Sequence, residues 1–407
     1  MSVVNIFSGS FCSGEEVATG VADRLGCQLV RDEDVIARLA RDEGLKAGAL
    51  RRALYGKPSV FNQFSHERER ALSQLKEGVA LLLAQENLVL LGFLSHLVPR
   101  TISHVLDVCL VAEVKWRAMR AARELGLNEK EALARVRRDD EAAFRWAEYL
   151  NNREPWAPEL FDMRLSMDHT LVAEAVELIC DNAASQVLAV SPASRRAVAD
   201  FALASRVEVA LSENGHNPQD AQVTAKDGAI SILINKKVMF LGRFSEELEK
   251  LASVVEGVKE VKVEPGPNYY QADVYRRADF QLPSKVLLVD DEQEFVQTLS
   301  ERLMLREIGS AVVHDGEEAL RVAAEDEPDV IVLDLKMPGI DGVEVLKRLK
   351  RDHPGVEVII LTGHGSEADR DLCMSLGAFA YLEKPVDIER LSEAMQGAYD
   401  LIKKRKE

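Results

Sequence analysis

The chain has 407 residues, a length that accommodates about three domains of ordinary size, and its 47% hydrophobic content is enough for real cores. A formal net charge of −17 argues against a broad nucleic-acid surface, because that affinity rests largely on clustered Lys and Arg. The five cysteines (Cys12, Cys27, Cys109, Cys180, Cys373) lie far apart without a CxxC pair, and no apolar run reaches the roughly 18 residues of a membrane span. Met1 to Phe7 reads as a strand rather than a targeting segment. A cytoplasmic protein with no membrane insertion and no nucleic-acid partner is therefore expected, its basic end (Lys403 to Lys406) being a solvated helix terminus.

The first block, residues 1–190, opens as strand (VVNIF), Gly-rich turn (SGSFCSG) and helix (EEVATGVADRLG). Such a turn can cradle phosphate with free N–H groups, and the frame G-x-x-x-x-G is present at Gly9 and Gly14, with Ser10 and Ser13 between. Where a working phosphate loop continues with Lys and then Ser or Thr, this chain has Glu15 and Glu16. Carboxylates there suit the positive end of the helix dipole, so the chain supplies its own anion where a nucleotide would need opposite charge. The strands LVLLG and VLDVCLVA, and FDMRLSM followed by the helix LVAEAVELICDNA, continue the α/β alternation. With LGCQLVRDEDVIARLARDEG near its start and RVRRDDEAAFRWAEYLNNREPW before its end, this block resembles the cytidylate-kinase-like family of nucleoside-monophosphate kinases. The resemblance implies a P-loop-type parallel sheet with a degenerate phosphate loop. It also implies a lid that carries Asp139-Asp140-Glu141-Ala142 where the family has an Asp-Lys-x-Arg run. Arg137, Arg138 and Arg145 stand nearby, either compensating or solvated. Trp116, Trp146 and Trp156 read as core or lid packing.

Residues 191–264 form a compact pattern of helix (SRVEVALSENG), two strands (AQVTAKDGAISILINKK), helix and strand (FSEELEKLASVVEGVKEVKVEPG). Asp227-Gly228 between alternating apolar runs is a hairpin signal. The order of elements resembles the BON domain, which implies a small α+β module that either senses a ligand or docks a partner, or else acts as a spacer with its own small core. Residues 265–283 then read as a linker, although Tyr269, Tyr270, Tyr275 and Phe280 are too many aromatics for a free coil, and part of it is expected to pack against a neighbour.

The last block, residues 284–407, carries Asp290 and Asp291 after KVLLV, Asp334 after DVIVL, Thr362 after VIILT, and Lys384 before Pro385. Short continuous apolar runs are parallel strands buried on both faces, so these polar residues sit at the carboxyl edge of a sheet, where ligands bind. Three converging carboxylates make a hard oxygen cage suited to Mg²⁺. A hydroxyl and an ammonium add oxyanion donors, a set that fits a phosphoryl group on one carboxylate. VLLVDDE, VIVLDLKMPGIDG, VIILTGHG and GAFAYLEKP resemble the receiver domain of two-component response regulators. The resemblance implies a flavodoxin-like (βα)5 fold with Asp334 as phospho-acceptor. It makes Asp290 and Asp291 the Mg²⁺ acids, joined by Asp334 and the backbone carbonyl of Lys336. It implies Thr362 and Tyr381 as a switch pair with Lys384, and a cis Lys384-Pro385 bond. His364 reads as a loop residue, and the histidines offer no metal-ligand spacing. In the final helix Ile388, Leu391, Met395 and Leu401 read as core at helical spacing.

These blocks describe an α/β multidomain response regulator that accepts a phosphoryl group from a histidine kinase and signals through protein contacts of its kinase-like domain, with a homo-oligomer or a downstream protein as partner. Two alternatives stay open. One is a receiver-gated nucleoside-monophosphate kinase, the other a nucleotide sensor that binds without turnover.

Overall fold

The computed structural model describes residues 2–406 other than 43, 58, 63–65, 219, 239, 268, 270–273, 276–284, 305, 307 and 364. It divides into two compact units, one of Met1–Pro58 and Glu67–Tyr275, the other of Ser59–His66 and Arg276–Glu407.

The first unit begins with β1 (Val3–Ser8), α1 (Gly14–Leu25), β2 (Gln28–Arg31), α2 (Asp32–Asp42), α3 (Ala47–Tyr55), α4 (Glu67–Leu83) and β3 (Leu88–Leu91). After a 3-10 turn at Phe93–Leu97 come β4 (Val105–Val111), α5 (Val114–Leu125), α6 (Glu129–Asn151), β5 (Met163–Ser166) and α7 (Val172–Ala183). The strands lie in the order β2-β3-β1-β4-β5, all parallel. β1 and β4 are buried along nearly their whole length, as continuous apolar runs require when both faces are covered. Trp146 is 1% exposed and donates to the carbonyl of Phe93, while Trp156 meets Phe144 edge-on.

Pro192 opens a long helix, α8 (Pro192–Glu213), capped by Ser191. Proline is tolerated at the first helical position because its missing N–H would have no intrahelical partner there. Along α8, Val198 belongs to the core beneath α4, while Leu203, Val207 and Leu211 belong to the core of the sheet that follows. One helix thus serves two cores. Next come β6 (Ala221–Lys226), β7 (Ala229–Ile234), β8 (Lys237–Val238), α9 (Leu241–Ser253), β9 (Glu260–Pro265) and β10 (Val274–Tyr275). β6 and β7 form an antiparallel hairpin, and β9 joins β7 in parallel. Asp227 and Gly228 both take positive φ, 51° and 92°, the backbone that a two-residue hairpin turn demands. Of the linker aromatics, Tyr269 is buried in this core and Tyr275 lies in β10, which pairs with β8. Tyr270, Phe280 and most of the expected linker lie outside the described residues, as does His364.

The second unit carries β11 (Val286–Val289), α10 (Gln293–Met304), β12 (Ser310–Val313), α11 (Gly316–Glu325), β13 (Val330–Leu333), α12 (Gly342–Asp352), β14 (Glu357–Thr362), α13 (Glu367–Ser375), β15 (Ala380–Glu383) and α14 (Ile388–Lys406). Its strands are parallel in the order β12-β11-β13-β14-β15. This is the flavodoxin-like 2-1-3-4-5 arrangement, with its topological switch between β11 and β13. In α14 the buried stripe runs through Leu391, Met395, Ala398 and Ile402, so Leu401 falls one residue off the core-facing row.

Candidate functional site

The switch point assembles the acids. Asp290 follows β11 and Asp334 follows β13, and because these strands are neighbours in register both residues arrive at the same edge. Asp290 and Asp334 are 4% and 5% exposed. Asp291, the next residue on the loop, is exposed, yet a carboxylate oxygen from each of the three lies within 4.8 Å of the others.

Lys384, at the end of β15, brings the countercharge. Its Nζ lies 2.7 Å from Asp290 Oδ2 and 3.4 Å from Asp334 Oδ2. It also lies 3.1 Å from Glu292 and 4.4 Å from the centre of the Phe295 ring. Burial works to lower the Lys384 pKa, but its hydrogen bonds to Asp290 and Glu292 and the charges of Asp290 and Asp334 together raise it. Burial pushes the Asp290 carboxyl up, against the pull of Lys384 and of the Glu292 N–H. The second oxygen of Asp334, Oδ1, accepts from the N–H of Leu335 at 2.7 Å and of Lys336 at 3.4 Å, so Lys336 borders Asp334 through its main chain. Glu292 and Phe295 escape a reading of the sequence, although Glu292 directly follows the paired acids.

Thr362 ends β14 and is 1% exposed. Tyr381 in β15 is buried, and its hydroxyl has no hydrogen-bond partner among the described residues. A Cβ at Gly365 would collide with that hydroxyl, so the inward tyrosine depends on the glycine. The Lys384-Pro385 bond is cis. The donor set fits one hard divalent cation: three clustered carboxylate oxygens at a strand edge, two of them from buried side chains.

A second constellation surrounds the Gly-rich turn of the first unit. Phe11 and Ser13 take positive φ, 61° and 57°, and a Cβ on Gly14 would lie 2.5 Å from Ser8 Oγ, so the turn is tight. The cations around it are each paired with a carboxylate of the chain. Arg31 Nε donates to Glu15 at 2.9 Å, Arg120 donates to Ser13 Oγ and to Glu16 at 3.0 Å, and Arg117 meets Asp140 at 2.6 Å. Arg117 is only 4% exposed and lies against Gly9. Ser10 Oγ and Arg117 Nε are buried without a partner among the described residues. Burial pushes the Cys12 thiol up to about 12, which removes it as a nucleophile at neutral pH. Arg137 and Arg138 are exposed on α6, and Arg145 is 4.0 Å from Glu141. The arginines that reach the turn are instead Arg117 and Arg120, three apart on α5.

The response regulator receiver domain family matches residues 286–396. That match spans the C-terminal sheet. The cytidylate kinase-like family matches residues 3–169, in keeping with the parallel sheet of the first unit. The transcriptional regulatory protein CpxR of Escherichia coli (strain K12) is 43% identical over 108 residues, 26% of this chain and 46% of that protein. The transcriptional regulatory protein GlrR of the same organism is 35% identical over 118 residues, 29% of this chain and 27% of that one. The response regulator MprA of Mycolicibacterium vanbaalenii is 34% identical over 115 residues, 28% of this chain and 50% of that one. The chain thus spans half or less of the length of these relatives. Among the described residues no helix is long and apolar enough to cross a membrane.

Proposed function

We propose that the chain is a two-component response regulator that takes a phosphoryl group from a partner histidine kinase onto Asp334 in the cytoplasm and signals through protein contacts made by its kinase-like domain. The observation that supports this reading is the meeting of Asp290, Asp291 and Asp334 within 4.8 Å, with Lys384 against two of them. A carboxylate oxygen of Asp334 attacks phosphorus, the O–P bond forming as the N–P bond to the donor imidazole breaks and that imidazole leaves with a proton. Water later attacks the same phosphorus, releasing inorganic phosphate and the free carboxylate. Lys384 donates to the phosphoryl oxygens, and Thr362 supplies a hydroxyl that turns toward them, with Tyr381 as its switch partner. Asp290, Asp291, Asp334 and the Lys336 carbonyl would hold Mg²⁺, which neutralises charge on the transferring group when bound.

Acetyl phosphate with Mg²⁺ should add one phosphoryl mass to the intact protein, and omission of Mg²⁺ or Asp334→Asn should abolish it. Equal labelling of Asp334→Asn would overturn the assignment.

A second reading, in which the first domain senses a nucleotide without turning it over, is favoured by the buried Ser10 Oγ and Arg117 Nε beside the turn, which have no hydrogen-bond partner among the described residues. Calorimetric titration with nucleoside mono- and triphosphates decides it, since binding without turnover supports a sensor and silence removes it.

A further inference from the structure

The second unit is discontinuous in sequence, because Ser59–His66, which lies between α3 and α4 of the kinase-like block, groups with the receiver. Within that unit Phe61 is 0% exposed and belongs to the hydrophobic core built by α11, α12 and the strands, alongside Ala319, Val322 and Leu349. A fully buried aromatic ring is among the largest single contributions a short segment can make to a core. Polar contacts fix its entry. Ser59 donates its hydroxyl to Asp326, the residue that follows α11, and accepts at the same oxygen from the Phe61 N–H at 3.0 Å. Asp326 is 5% exposed and also holds Lys285 Nζ at 2.7 Å. The N–H of Asn62 returns to the Ser59 carbonyl at 3.1 Å, closing a compact turn around the ring.

Lys285 precedes β11 and Asp326 follows α11, so Ser59 is anchored at the amino edge of the sheet, one strand length, about 13 Å, from the acceptor edge. The core that receives Phe61 also contains Leu333 and Leu335, which flank Asp334, and Tyr381. Packed cores pass strain between discrete arrangements rather than absorbing it.

We infer that Ser59–Asn62 is a strap by which the kinase-like block holds its own receiver, and that phosphorylation of Asp334 changes this hold and so reaches α3 and α4, to which the strap is covalently joined. The receiver surface beside α11 is accordingly an intramolecular docking site for a Ser-x-Phe turn. The regulatory half rests on phosphoryl acceptance at Asp334, whereas the docking half does not.

Hydrogen exchange with mass readout on the full chain tests both halves. In the unmodified protein the amides of Phe61 and Asn62 should be protected. Phe61→Ala should raise exchange in 59–66 and in the last turn of α11 by tenfold or more, while Phe61→Leu, which keeps an apolar side chain, should retain most of the protection. Ser59→Ala, which deletes one hydroxyl and cannot unfold the sheet by leaving a cavity, should raise exchange in the same two segments by a smaller factor. Acetyl phosphate, with the added mass confirmed on the intact protein, should change exchange in 59–66 at least about fivefold. Unprotected 59–62 in the unmodified chain, or unaltered α11 in both Phe61→Ala and Ser59→Ala, overturns the strap. Phosphorylated protein whose 59–66 exchanges as before overturns its regulatory role. A protein that takes up no phosphoryl mass fails the response-regulator reading instead, and the variants still decide the docking.

Discussion

Lys384 carries three carboxylates on one ammonium, and two of them, Asp290 and Asp334, are buried. Breaking a buried ion pair from one side costs about 3–5 kcal/mol because the remaining charge has lost its partner. Lys384→Met should therefore destabilise the receiver strongly in EDTA. Mg²⁺ should restore more stability to the variant than it adds to the parent, since in the parent the ammonium already satisfies the oxygens that the cation needs. Urea unfolding with and without Mg²⁺ measures this, and an equal Mg²⁺ gain in both proteins would contradict the competition. Asp32 is the comparable residue of the first unit. Burial pushes its carboxyl from 3.8 up to about 6, although the N–H groups of Leu94 and Phe93 and the Tyr55 hydroxyl pull the other way. The folded protein holds that proton more tightly than the unfolded chain does. Its stabilising contribution is therefore complete below the unfolded value of 3.8 and lost as pH rises through about 6. Asn cannot titrate, and its amide would present a donor where the carboxylate accepts. Asp32→Asn should therefore be destabilising, with a penalty that shrinks by about 3 kcal/mol between roughly pH 4 and pH 7. Unfolding midpoints across that range check the sign, and a penalty that grows with pH would be the wrong one.

Elements explain which of these residues could be read from the chain. Strands such as Val286–Val289 and Val330–Leu333 are buried on both faces, so each polar residue that ends one stands out, and Asp290, Asp334 and Thr362 were legible for that reason. Arg117 and Arg120 were not, because arginines three apart on a helix look like a solvated face until the turn they touch is folded beside them. Phe61 sits in the stretch KPSVFNQF, which has no periodicity, and nothing local distinguishes a core ring from a loop ring. Pro192 opens α8 at the one helical position where its missing N–H costs nothing. That helix yields a prediction. Leu211 is fully buried in the sheet core of residues 221–265, while Val198 on the same α8 serves the core of α4. Leu211→Ala should cost about 2–5 kcal/mol. Its loss should speed exchange not only in β6 and β7 but also in α4, because a frayed α8 withdraws Val198 as well. Faster exchange confined to β6 and β7 would mean that the two halves of α8 act independently.

At the scale of the whole molecule, a chain with net charge −17 has acids in excess of cations, and the Gly-rich turn shows the consequence. Arg31, Arg117 and Arg120 face Glu15, Asp140 and Glu16. A nucleotide phosphate would have to displace these pairs and then lie against Glu15 and Glu16 without the lysine and hydroxyl that a working loop supplies. Each unfavourable step of about 1.4 kcal/mol lowers affinity or rate tenfold. The natural chain should therefore show no turnover of cytidine or uridine monophosphate with ATP at kinase rates in a coupled assay. The backbone of the turn is tight and already feeds a helix N-terminus, so the deficit lies in side-chain charge rather than in the fold. The double variant Glu15→Lys, Glu16→Thr should then bind ATP at least tenfold more tightly than the parent by titration calorimetry, with Arg31 and Arg120 released from their partners to join the phosphates. An unchanged affinity would mean that the turn itself, and not the two carboxylates, excludes the nucleotide.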